Sequence, residues 1–172
     1  MCIGIARSVC ARDAIKWCKM SENAKCKLHS ERSTVDLKFV ALALWAGTAC
    51  FGLYLLLAWL PHGGLRQQAA RITVFPAALI FAHPALATTG LSFWIAYILT
   101  NRLGYAWIGF GVLSAATMLG FVMLTRWLVG HGRHARGAEQ SFPAKVIAAH
   151  GAVGLTTFAL VLVSAMLAAR HP

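Results

Sequence analysis

"FPAALIFAH", residues 75–83, and "FPAKVIAAH", residues 142–150, decide how this chain is read. Each opens Phe-Pro-Ala and places a histidine seven residues after its proline. Each lies in a stretch otherwise apolar enough for a bilayer, where an ionisable side chain is costly and rare. With the chain shifted by 67 positions, Phe75, Pro76, Ala77, Ile80, Ala82, His83, Ala85 and Thr89 meet Phe142, Pro143, Ala144, Ile147, Ala149, His150, Ala152 and Thr156. That is eight identities in fifteen positions, where an apolar composition gives roughly one or two by chance, so the pattern reads as an internal repeat.

The preceding segments match more weakly, at an offset of 68: Gly52, Leu56, Trp59 and Leu60 against Gly120, Leu124, Trp127 and Leu128. A His-Gly pair follows in both, at His62-Gly63 and His131-Gly132. The repeated unit is therefore a helical hairpin. A unit with two spans keeps its orientation, so the halves should be related by an axis along the membrane normal. His83 and His150 should then sit at one depth. Pro76 and Pro143 suit a first helical turn, where a missing N–H costs nothing. Seven residues of helix place both imidazoles about 10 Å below that end.

Composition supports a membrane domain. Of 172 residues, 59% are hydrophobic and 12% charged, against about a quarter charged in soluble domains. Four apolar runs, 39–60, 74–100, 104–125 and 143–169, each reach the roughly 20 residues that span a bilayer. Each should be a helix, because lipid offers the backbone no partners. Trp59, Trp94, Trp107 and Trp127 lie near span ends, as interfacial anchors do. The fold class expected is all-α: a four-transmembrane-helix bundle over 39–172, with repeat one at 39–102 and repeat two at 106–170.

Residues 1–38 differ. They hold four of the five acids and eight of the sixteen Lys and Arg. The segment reads as a basic polar tail, disordered or loosely helical near anionic lipid. Cys2, Cys10, Cys18 and Cys26 are spaced eight apart, which matches no C-x-x-C metal pattern. Met20 is an alternative start that would leave residues 1–19 outside the native chain. Cys50 reads as a small core residue.

Two histidines at one depth across a twofold axis point to a ligand that is symmetric between them. Haem iron takes one ligand on each side of the porphyrin, and neutral imidazole is a standard one. Neighbouring helices lie about 8–10 Å apart, too close for imidazole–iron–imidazole, but the second and fourth helices of an up-down bundle are diagonal. Ala87 and Gly90 follow His83, and Gly154 and Thr157 follow His150, at four and seven residues. Such small residues leave room for a flat macrocycle, or equally let helices pack closely. Arg126 and Lys145 flank the spans on the histidine side and could pair with haem propionates. His62 and His131, at helix ends, are a weaker pair that could build a second or four-histidine metal site.

The repeated F-P-A…A-H-x-A segments carrying His83 and His150 resemble the four-helix membrane cytochromes of b type. The resemblance covers the architecture of residues 39–172. It implies a haem held in the membrane by histidines on bundle helices, and one haem b for a single mid-span pair.

The functional expectation is a haem-binding electron-transfer subunit rather than a stand-alone enzyme. The alternative is a cofactor-free membrane assembly or interaction subunit whose histidines bond across helices. Expected partners are the lipid bilayer, other subunits of an oxidoreductase complex, or a quinone. The expected location is a bacterial cytoplasmic membrane. From residue 37 on, Glu139 is the only carboxylate side chain, which excludes Glu-rich diiron bundles and a carboxylate proton relay within the spans. There is no phosphate loop and no nucleophile elbow. The basic balance belongs to the membrane side, so nucleic acid is not implied. Topology stays open: six Lys or Arg on the histidine side face two at Arg102 and Arg170, and counting the tail's eight with those two removes that excess.

Overall fold

The computed structural model describes residues 37–62, 66, 76–129 and 143–170. Four helices carry them: α1 (Leu37–Trp59), α2 (Ala77–Thr100), α3 (Leu103–Val129) and α4 (Ala144–Arg170). No strand occurs among the described residues. All four helices are long and apolar enough to cross a membrane. At 23 to 27 residues each, they run roughly 35–40 Å, beyond the ~30 Å hydrocarbon core. Outward-facing Leu53, Tyr54, Leu57, Leu99, Met118 and Leu155 are exposed. Lipid is the solvent such surfaces fit, and the chain is an integral membrane protein.

The helix ends follow from local chemistry. Pro76 and Pro143 each immediately precede a helix, one position outside the first turn expected for them. The carbonyl of Pro76 accepts from Leu79 N at 2.9 Å and Ile80 N at 3.3 Å. Pro143 does the same for Val146 and Ile147, at 2.9 and 3.1 Å. α2 thus begins at Ala77, later than the apolar run at 74, because proline ends the pattern there. α2 closes on Asn101, whose φ of 51° is left-handed and whose N–H donates to Tyr97 O at 2.8 Å. Asn is one of the few non-glycine residues that accept this conformation. α3 runs on to Val129, so Arg126 and Trp127 are helical rather than loop. α1 starts at Leu37, so Lys38 is a helical residue, 9% exposed, rather than part of the tail.

α2 packs along α3, and α3 along α4. α1 joins α2 through Trp45–Trp94 (ring centroids 6.5 Å) and Lys38 Nζ to Asn101 Oδ1 (2.8 Å). It joins α4 through the hydroxyls of Thr48 and Thr157, 3.3 Å apart. The helices therefore close a ring in chain order, with α2 and α4 diagonal.

The interior has three levels. Trp45, Trp94, Tyr97, Leu113 and Val161 pack at the end bearing the α2–α3 turn. There Gly90 and Gly109 let α2 and α3 touch, since a Cβ on either would stand 3.2–3.3 Å from the other's carbonyl oxygen. At the opposite end Trp59, Ile80 and Trp127 form a second cluster. Between the clusters lie Thr48 and Gly52 of α1, His83 of α2, Ala116 and Gly120 of α3, and His150 of α4.

Candidate functional site

His83 Nδ1 lies 2.9 Å from the carbonyl oxygen of Ala116. His150 Nδ1 lies 3.0 Å from that of Thr48. A carbonyl only accepts, so Nδ1 carries the hydrogen in both rings. In a neutral ring Nε2 then holds the lone pair. Each hydrogen bond crosses to a neighbouring helix: α2 to α3, and α4 to α1.

Glycine makes these bonds reachable. A helical side chain tilts toward the N-terminus and lies over the preceding turn. Position 120 therefore covers the carbonyl of Ala116, and position 52 that of Thr48. Both are glycine. A Cβ at 120 would stand 3.2 Å from His83 Cε1, and a Cβ at 52 would stand 3.1 Å from His150 Cε1. Neither imidazole could lie so flat against its neighbouring helix over a larger residue.

The two rings face each other across the diagonal, with centroids 6.1 Å apart and planes at 75°. Imidazole-to-metal bonds of about 2.0–2.1 Å, with roughly 1.1 Å from each ring centre to its nitrogen, put two rings roughly 6.3 Å apart across one ion. The centroid separation is close in length to that bridge, and it is also an ordinary edge-to-face contact between two rings. The Nδ1–H to carbonyl bond is the usual way a ligating histidine is oriented and its tautomer fixed.

The remaining expected residues divide. Ala87 is half-buried on α2. Gly154 is a packing position, since its Cβ would meet Thr48 Cγ2 at 3.5 Å. Gly90 and Thr157, one turn further on, are filled by Trp45 and by the Thr48 hydroxyl. Close helix packing uses those small residues, and the interior is occupied on that side of the histidines. Arg126 and Lys145 are exposed at the other end, on α3 and α4. His62, just past α1, is exposed, and its Nδ1 donates to Ala58 O at 2.6 Å. It is ten residues beyond Gly52, in the turn that follows α1. His131 lies outside the described residues, as do the tail cysteines. Among the described residues no three His, Cys, Asp or Glu cluster as a metal site.

Four residues of this site carry no signal of their own in the sequence: Thr48, Gly52, Ala116 and Gly120. The offset of 68 does relate them, Thr48 to Ala116 and Gly52 to Gly120.

Fold and site together define an all-helical integral membrane protein with an inward-facing histidine pair. No family model matches the chain, and neither a curated protein nor a solved structure matches it.

Proposed function

We propose that this protein is a b-type membrane cytochrome: an electron-transfer subunit holding one haem b between His83 and His150. The observation that carries the reading is the 6.1 Å separation of the two rings, each anchored by Nδ1 to a backbone carbonyl. Haem, when bound, supplies the one-electron chemistry. The chain's part is to fix two imidazoles and exclude water. A partner oxidoreductase subunit or a quinone in a bacterial cytoplasmic membrane would exchange electrons with it.

The reading includes two hairpins related by a twofold axis along the membrane normal. The pattern of burial supports it. Lys38, Ala41, Trp45 and Trp59 of α1 are buried, and so, 68 residues on, are Ala106, Gly109, Leu113 and Trp127 of α3. Gly90, Trp94 and Tyr97 of α2 are buried, and so, 67 residues on, are Thr157, Val161 and Ser164 of α4. A repeat that preserves the inward face while changing Lys to Ala and Trp to Val preserves a position in the bundle rather than a side chain.

The second reading is a cofactor-free assembly subunit. The interhelical bonds from His83 and His150 favour it, because they tie helices together without any ligand. Quantifying haem in protein purified from haem-replete cells separates the two. One haem b per chain is expected. A colourless, well-folded protein establishes the cofactor-free reading.

A further inference from the structure

Three buried side-chain polar atoms have no hydrogen-bond partner among the described residues: Trp59 Nε1, Trp127 Nε1 and Ser164 Oγ. Two of the three are indoles separated by 68 positions, the same offset that relates Gly52 to Gly120. Trp59 is 1% and Trp127 9% exposed, and both belong to one cluster with Ile80. An indole N–H only donates. Left unpaired away from water, each costs on the order of 1–3 kcal/mol. Two such groups at matching places in the two halves point to an acceptor that no described residue provides.

Position along the helices says which acceptor. Trp59 is seven residues beyond Gly52, and Trp127 seven beyond Gly120, about 10 Å along each axis. Those glycines lie against the two imidazoles. Both indoles are therefore on the same side of the histidine level, toward the helix ends bearing Arg126 and Lys145. The interior is packed on both sides, by Trp45, Trp94 and Thr157 beyond the histidines and by Trp59, Ile80 and Trp127 here, and at this end only the two indoles leave buried donors unpaired among the described residues. Haem carries its two carboxylates together on one edge of the macrocycle. We infer that Trp59 and Trp127 are positioning residues whose indole N–H groups donate to the haem propionates, orienting that edge toward the Trp59–Ile80–Trp127 cluster. Arg126 and Lys145 are exposed at the same end of the bundle. This inference rests on the haem reading.

The test is a spectroscopic redox titration of haem-loaded protein carrying Trp59→Phe, Trp127→Phe or both. Phenylalanine keeps a ring in the cluster and removes the donor. Losing a donor leaves propionate charge less compensated and favours ferric iron. The midpoint potential should therefore fall in each single variant and further in the double variant, with the low-spin band retained. Potentials equal to wild type overturn the donor assignment while leaving the haem reading intact. A wild-type protein without haem overturns both. If a Phe variant does not accumulate, wild-type protein decides by ultraviolet resonance Raman. The tryptophan mode that reports N–H hydrogen bonding should move to the bonded position when haem b is loaded into apoprotein. An unmoved mode overturns the assignment.

Discussion

Nδ1 of His83 stands 2.9 Å from the carbonyl oxygen of Ala116, across the α2–α3 interface. Residue 120 is the one whose side chain would cover that oxygen, and it is glycine. The bond, the bare carbonyl and the ring's orientation are one feature. His150, Thr48 and Gly52 repeat it at 3.0 Å on the other side of the bundle.

Gly120→Val and Gly52→Val should each displace one imidazole and break its carbonyl bond. Removing a partner that orients a ligand typically weakens metal binding 10–100-fold. Haem affinity should fall by roughly that factor, measured by titrating haem into apoprotein and following the Soret band. Gly111→Val serves as the control, since a Cβ at 111 has nothing within 4 Å. Unchanged affinity in both site variants would refute the orienting role of these glycines.

Gly90→Ala and Gly109→Ala test packing rather than ligation. The new methyl would meet backbone oxygen at 3.3 or 3.2 Å, and backbone cannot swing aside. Overpacking of this kind costs about 1–3 kcal/mol. Thermal unfolding in detergent should show both variants destabilised and Gly111→Ala close to wild type. Equal melting for all three would mean that α2 and α3 do not meet at these residues.

Asn101 has two jobs at the α2–α3 turn. It holds φ at 51° and accepts from Lys38 Nζ at 2.8 Å. Asn101→Gly loses the amide but keeps the backbone freedom. Asn101→Ala loses both, and a left-handed non-glycine residue costs on the order of 1 kcal/mol more. Alanine should therefore destabilise more than glycine in the same unfolding assay. The reverse order would show that the Lys38 bond outweighs the turn.

Much of this was legible in the sequence, for particular reasons. Apolar runs free of carboxylates admit little besides membrane helices. Pro76 and Pro143 mark starts because a missing N–H costs nothing at the N-terminal edge of a helix, whereas Pro84 lies inside α2. Matched Phe-Pro-Ala segments put His83 and His150 at one register. What sequence could not give was the partner across the interface. Nothing in Thr48 or Ala116 distinguishes a carbonyl that receives an imidazole from any other. In the sequence Gly52 and Gly120 are only weak repeat matches; in the fold an imidazole lies against each. Gly90 and Thr157 misled in the opposite direction. Small residues near a histidine suggest clearance, but here helix packing fills it. By its charge Lys38 reads as tail, yet its ammonium lies over the Tyr97 ring, 5.5 Å from its centre.

The 75° between the imidazole planes carries a spectroscopic consequence. Near-perpendicular axial rings leave two iron d orbitals almost degenerate. Ferric protein should give the strongly anisotropic low-spin EPR signal with a single dominant low-field feature. A fully resolved rhombic spectrum would show that the rings become parallel when haem binds.

The most direct measurement is the reduced-minus-oxidised absorption spectrum of membranes carrying wild type, His83→Ala, His150→Ala and His62→Ala at matched protein levels. Two neutral imidazoles give iron a six-coordinate, low-spin field with no open position. Wild type and His62→Ala should show the sharp α band of low-spin haem b, while His83→Ala and His150→Ala should each lose it. A band that survives both mid-span substitutions, or a wild type with no band at all, would contradict the account.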